Sequence, residues 1–407
     1  MSAELARFQN FAKLKDTQIA FNDITVLAGK PSTGKSYVMK FMYAVDEAYN
    51  KLSAELEQST NSLTRLKSEI HTLETELSIL NGQYNDSKFQ LNNLFRKKDK
   101  EVELKLKEIQ DKEKIIGEEI ELLERKSPKN IDNGRISENC CALALLNVLK
   151  AIFVELNQIS NDFIVTINKN KTIKFNNNTV NIDIKNKVNK KNQNTENSIF
   201  VETPLILEFK KFMNRTKGKT PYHIESLLNI LDTDYSFTDE KQDKFIKDFT
   251  QKSKEIIKGD IESSGDSFIF NQKGGQNYDI LNASSGTKSI GLLQYLVTNK
   301  ALKKGSVLYW EEPEVHLHPE WQLKMVELFV ELMNAGVKIV FSTHSPYMCD
   351  YLNAISQKRK FADRVSFNLF KESDGVVDNH ILKSDEEWNM IQAELLDPLE
   401  EIMWEYI

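Results

Sequence analysis

Hydrophobic and polar positions divide the chain into three regimes. Near the N-terminus the apolar residues come in short alternating runs, "ELARFQNF" and "LKDTQIAF", and then in an unbroken one, "ITVLA". Alternation with period two marks a strand buried on one face, and a short continuous run marks one buried on both. Two short strands followed by an interior strand, Ile24–Ala28, are therefore expected. A helix should begin near Lys35 and carry "SYVMKFMYAVDEAYNKL", with no Gly or Pro to stop it before Gly82.

The second regime, residues 46–126, repeats differently. Leu52, Leu56, Leu63, Leu66, Ile70, Leu73, Leu77 and Leu80 fall on alternating steps of three and four, with Ser59 in one slot and polar residues between. That is the seam of a coiled coil. Beyond the turn-like "NGQYND" (Asn81–Asp86), Val102, Ile109, Ile116 and Leu123 recur every seven residues. Equal flanks about a turn predict an antiparallel helical hairpin inserted into the chain, each arm roughly 50 Å long. One unbroken helix is the alternative, since a lone Gly costs only about 1 kcal/mol there.

From residue 127 the periods are mixed. "CCALALLNVLKAIFVEL" reads as a buried helix, and Phe163–Asn194, dense in Asn and Lys, as a β-meander. "SIFVETPLILEF" gives a strand and a following helix; "HIESLLNIL" and "KQDKFIKDFTQKSKEII" are helical; "DSFIFNQKGGQNYDIL" is a hairpin turning at Lys273-Gly274-Gly275. A helix then leads to the strand Ser306–Trp310, a second helix closes at Gly336, and the strand "VKIVFS" follows. Alternating strands and helices mean a parallel sheet flanked by helices. Ser384 and Glu387 form a capping box for a last helix. The chain is thus expected to be α/β, with an N-terminal lobe 1–45, an inserted arm 46–126 and the remainder of the core 127–407.

Composition changes this picture little. With 407 residues and a net charge of −6, the chain is no uniformly basic nucleic-acid coat, although a local basic face stays open. Of three cysteines, Cys140 and Cys141 are adjacent in an apolar helical pattern, which suits core thiols in a reducing cytoplasm rather than disulfides. The N-terminus lacks the apolar core of a signal peptide, and no run is long enough to span a bilayer.

The chemistry concentrates at four places. "GKPSTGKS" comprises Gly29, Lys30, Pro31, Ser32, Thr33, Gly34, Lys35 and Ser36, between a buried strand and a helix. That is the context of a phosphate-binding loop. Bare N–H groups face the phosphates of ATP, Lys35 neutralises them, and the Ser36 hydroxyl takes a place on Mg²⁺. "VLYWEEPEVHLHP" ends an apolar strand in Glu311 and Glu312. Two like charges there require a positive partner: Glu311 is placed to hold the metal and Glu312 to deprotonate the attacking water. Exposed loop acids are the plain alternative, against which stand the apolar strand before them and Pro313 after. "NASSGTKS" puts Ser284, Ser285 and Gly286 at a helix start, and "FSTHSP" puts His344 beyond a strand expected to neighbour that of Glu311. His344 can sense a terminal phosphate. His316 and His318 are two apart with no further His nearby, a poor zinc site.

Together "GKPSTGKS", "ASSGTK", "VLYWEEPEVHLHP" and "STHSP" resemble the ABC-type ATPases of the SMC, RecF and OLD group, grouped among AAA-family ATPases, and look closest to the OLD-like branch. The resemblance implies a P-loop ATPase core with a mixed or parallel sheet. It places Ser284 at the phosphate-contacting serine of the signature motif. Glu311 stands where most relatives carry Asp, and Glu202 in "FVETP" is the only candidate for the Q-loop residue. It also implies a head-to-tail ATP sandwich, hence at least a homodimer. About sixty residues follow "THSP", too few for the Toprim nuclease of OLD proteins. A separate effector, a nuclease or toxin encoded nearby, is therefore expected, as in the PARIS, Septu and retron-associated anti-phage systems. DNA binding by an SMC/RecF-like repair ATPase, and an ATP-switched scaffold with negligible turnover, are the alternatives.

Overall fold

The computed structural model describes residues 3–89, 104–118 except 106 and 113, 138–153, 159–160, 162–176, 179–184, 197–213, 220–233, 235, 240–373, 375–382 and 387–396. Two compact units result: Met1–Asn50 with Ala142–Ile407, and Lys51–Cys141.

The first unit is built on an 11-stranded sheet in the order β6-β5-β4-β1-β2-β14-β13-β3-β12-β11-β7. Its strands are β1 (Glu4–Phe11), β2 (Leu14–Phe21), β3 (Ile24–Gly29), β4 (Asp162–Ile167), β5 (Lys171–Asn176), β6 (Thr179–Ile184), β7 (Ser198–Val201), β11 (Val307–Glu311), β12 (Lys338–Thr343), β13 (Val365–Ser373) and β14 (Val376–Leu382). The remaining strands, β8 (Gly259–Ser264), β9 (Ser267–Gln272) and β10 (Tyr278–Asp279), form a separate antiparallel sheet.

Half of the large sheet is parallel: β13, β3, β12, β11 and β7 run side by side. β3 is buried at every residue, as its unbroken apolar run requires. The other half is an antiparallel wing of β1, β2, β4, β5 and β6, whose alternating residues turn one apolar face inward. Under it Phe8, Phe11, Phe41 and Phe163 pack with ring centroids 5.0 to 5.9 Å apart. These aromatic pairs fasten the wing to the helix α1 (Lys35–Phe89). Two tyrosine hydroxyls, that of buried Tyr309 and that of half-buried Tyr222, fasten the same helix elsewhere. Tyr309 of β11 donates to Asp46 Oδ2 at 2.7 Å, and Tyr222 donates to Glu47 Oε2 at 2.7 Å. Burial pushes the Asp46 carboxyl up to about 6.

The other helices are α2 (Glu138–Ile152), α3 (Ile206–Met213), α4 (Tyr222–Asp232), α5 (Glu240–Ile257), α6 (Ser285–Thr298), α7 (Pro319–Asn334) and α8 (Pro346–Lys358). Cys141 is a buried free thiol, as its apolar pattern implies. Among the described residues no helix is long and apolar enough to cross a membrane.

In the second unit α1 continues without a break through Asn81–Asp86, so the reversal expected there is absent. The helical stretch costs little because it contains a single Gly. Ile109 and Ile116, seven apart on a helical segment, are both buried, whereas Leu104 and Ile115 are exposed. The rest of the expected arm, including Leu123 and Val102, lies outside the described residues, as does Ser384 of the expected capping box.

Candidate nucleotide site

Three adjacent parallel strands deliver the candidate residues to one sheet edge. The Gly29 loop follows β3, His344 follows β12, and Glu311 and Glu312 end β11, with β12 lying between the other two. Clefts beyond the carboxyl ends of parallel strands are where such folds bind ligands.

The loop 29–36 is shaped by its backbone. Gly29 (φ +134°), Ser32 (φ +62°) and Gly34 (φ +91°) are all left-handed, which turns successive N–H groups toward one concavity. Gly29 has a second constraint: a Cβ would come within 2.2 Å of the Phe370 carbonyl on β13. Gly29→Ala should therefore destabilise the fold by about 2 kcal/mol or more. The check is a urea unfolding midpoint, which should fall clearly below that of the wild type. Lys30, Pro31 and Ser32 are exposed, leaving the face of the loop open. Lys30 also reaches Glu394 at 3.4 Å.

Lys35 is buried and curls back onto its own loop. Its ammonium donates to Gly29 O at 2.8 Å, Lys30 O at 2.7 Å and Thr33 Oγ1 at 3.2 Å. Burial pushes it down to about 8, against the opposing fields of Glu312, Glu314 and Glu311. The N-terminal loop and the distant acids therefore share one site.

Glu311 is the residue best fitted to hold a cation. Burial pushes its carboxyl up to about 7. Glu202 and Glu312 push the same way, while Lys40 and a hydrogen bond from Ser36 oppose. Its Oε1 is buried without a hydrogen-bond partner. A buried carboxylate oxygen beside a hydroxyl, in surplus negative charge, suits a hard divalent cation such as Mg²⁺.

The sign of the pH effect follows. A carboxyl raised in the fold favours the folded state below its unfolded value, and that advantage is lost as pH rises through about 7. Glu311→Gln should thus stabilise the metal-free protein at pH 8 by about 1–3 kcal/mol. The same change should remove any stabilisation by Mg²⁺. Thermal melts with and without Mg²⁺ read both effects.

Glu312 turns away from the strand with φ +45°, while its N–H still donates to Ser342 O at 3.1 Å. That left-handed turn brings its Oε1 to 3.2 Å from His344 Nε2. Burial, assisted by the Lys35 charge, lowers the His344 imidazole below its ordinary value. Lys35, Glu311, Glu312 and His344 are thus brought together, and Ser36 joins Glu311.

Ser284, Ser285 and Gly286 are not part of this cluster. Ser284 is exposed and caps α6, its Oγ accepting from Thr287 N at 3.2 Å, and none of the three bonds to residues 29–36. A Cβ added at Gly286 would lie 3.3 Å from both His316 O and the Trp321 ring, so a side chain there would crowd both. His318 caps α7, its Nδ1 accepting from Glu320 N at 3.3 Å.

A family model described as the AAA ATPase domain matches residues 7–349. The chain belongs to that family. Among solved structures, the SMC head domain from Thermotoga maritima is similar at 10% identity, over 94% of this chain and 100% of that one, with a TM-score of 0.40. An SMC head with an extended coiled coil, bound to the C-terminal domain of ScpA and derived from Pyrococcus furiosus, matches at 10% identity over 99% of each chain, with a TM-score of 0.38. The ADP conformation of an ATP-binding cassette of an ABC transporter matches at 11% identity, over 97% and 96%, with a TM-score of 0.36. No curated protein matches the sequence. The fold of this AAA-family chain is a P-loop ATPase core, a mixed sheet flanked by helices.

Reading the sequence left three residues of the site without a role. Lys40 lies one helical turn beyond Ser36, on the same face of α1. It pairs with Glu202 Oε1 at 3.0 Å, and buried His223 holds Glu202 Oε2 at 2.7 Å. The hydrogen bond from His223 holds the Glu202 carboxyl down at about 2. Glu202 follows β7 next to Glu311, because Val201 pairs with Trp310. The i, i+4 spacing from Ser36 was the one available signal for Lys40; His223 had none. The third is Glu314.

Proposed function

We propose that this chain binds ATP with Mg²⁺ on residues Gly29–Ser36, hydrolyses it, and closes head to tail with a second copy to control a separate effector in bacterial anti-phage defence. The single observation that carries the hydrolytic part is that the Lys35 loop, His344 and the Glu311–Glu312 pair follow three adjacent parallel strands, with Glu312 Oε1 3.2 Å from His344 Nε2. Ser36 and Glu311 would hold Mg²⁺, which offsets charge on the terminal phosphate when bound. Glu312, aimed by its left-handed turn, accepts the proton of the attacking water. His344 stands against Glu312 with its imidazole biased to the neutral form, where it can donate one hydrogen bond without adding charge. Lys35 supplies the fixed positive charge opposite the phosphates.

The pairing is supported by the separation of Ser284–Gly286 from the loop of the same chain. A second copy can bring its own Ser284 to that loop, and two-fold symmetry then closes both sites at once. Residues 46–126 are the candidate arm toward the effector. The defence role rests on the motif resemblance alone.

Ser284→Arg should leave ATP binding by the single chain within about twofold, while preventing ATP-dependent pairing and lowering turnover at least about tenfold. Light scattering of the Glu312→Gln background, with and without ATP, measures the pairing. An unchanged dimer in the Arg variant would remove Ser284 from the interface. Co-purification from the native host tests the effector. Turnover stimulated by DNA with a steep salt dependence would instead favour a DNA-maintenance ATPase.

A further inference from the structure

We propose that Glu314 is a positioning residue, whose carboxylate holds the backbone of His344 so that the imidazole meets Glu312. The proposal rests on the ATPase reading above and deepens it. Glu314 lies in the tight turn after the paired acids, where Val315 N donates to Glu312 O at 3.0 Å and Leu317 N donates to Glu314 O at 2.9 Å. From that turn its side chain crosses to the loop after β12. There Oε1 accepts the His344 N–H at 2.6 Å, and Oε2 is buried with no partner.

The neighbouring residue is held from the other side. Ser345 Oγ donates to Gln322 Oε1 at 2.6 Å and accepts from Met348 N at 3.2 Å, while the Ser345 N–H donates to Thr343 Oγ1 at 2.9 Å. His344 is therefore the one residue of this loop whose backbone is fixed by an acid from the β11 loop. Its side chain then returns to that same loop, to Glu312 Oε1 at 3.2 Å. The two contacts form a closed circuit: Glu314 to the His344 backbone, the His344 ring to Glu312, and two residues of chain back to Glu314. Loosening the first contact frees the second.

A plain alternative exists for the same carboxylate: it could serve as a negative charge before the N-terminus of α8. The two roles separate by substitution. Glu314→Gln keeps an oxygen acceptor for the His344 N–H and removes the charge. Glu314→Met keeps the length and removes both. In the full chain, E314Q should turn over ATP within about threefold of the wild type, whereas E314M should lose on the order of tenfold to a hundredfold in kcat with KM nearly unchanged. With the six histidines ¹⁵N-labelled, the ring signal of His344, assigned from His344→Gln, should stay in place in E314Q and move in E314M.

An E314Q that moves the ring signal, or slows turnover more than about tenfold, overturns the proposal in favour of the charge role. So does a folded E314M with wild-type kcat and an unmoved ring. If E314M does not fold, E314Q alone decides on the same two readouts. A wild type with no turnover would defeat the hydrolytic reading, and the ring signals would still test Glu314 separately.

Discussion

Lys35→Ala is expected to weaken ATP binding at least about a hundredfold, on the order of 3 kcal/mol or more. The loss has two parts. The buried ammonium is the positive charge that the Glu311–Glu312 pair and a triphosphate would share. Once it is gone, Glu311 and Glu312 remain and repel an anion. The loop also loses three hydrogen bonds that hold Gly29, Lys30 and Thr33 around the side chain. Lys35→Arg keeps the charge but not the compact fit, so it should fall between the two. Isothermal titration with Mg²⁺ and ATP gives the comparison, and an affinity for ATP unchanged by Lys35→Ala would refute the phosphate-loop assignment.

The second large effect belongs to Glu312. Glu312→Gln removes the proton acceptor while keeping a side chain that can still meet His344. Turnover should fall by about a hundredfold to ten-thousandfold with ATP affinity preserved. ATP-bound protein should then accumulate in the closed assembly, visible as a larger species by light scattering. Wild-type turnover in this variant would dismiss Glu312 as the base. Glu311→Gln makes a useful contrast. It should impair the Mg²⁺ response, whereas Glu312→Gln should leave that response intact.

The readable parts of this chain are those whose information is local. The loop 29–36 declares itself because its glycines, its lysine and its serine stand in eight consecutive residues. The strands β1, β2, β3, β11 and β12 show in their apolar runs, and the β9–β10 turn shows in Lys273-Gly274-Gly275. Pairing across the sheet was not readable in the same way. β13 and β14 were not foreseen, nor were β8 and α8, yet β13 fixes Gly29 through the Phe370 carbonyl. Glu314 stood in plain view in "EPE", but its partner is a backbone N–H on another strand, and no sequence pattern records that. Lys40 and His223 are similar: each acts through Glu202, and a side chain that works through a non-local neighbour leaves no periodic trace. The turn expected at Asn81–Asp86 failed for the opposite reason. A locally turn-prone cluster was outweighed by the helix on either side of it.

The middle position of β12 sets a scale for the whole reaction centre. Neighbouring strands lie about 4.8 Å apart, so the phosphate loop and the metal-side acid are held roughly two such steps from each other, with the histidine at the halfway mark. That interval is fixed by rungs of main-chain hydrogen bonds, not by the reach of any side chain. The sheet acts as a ruler, and a longer acid such as Glu311 changes only how far the carboxylate extends across a gap whose width it does not control.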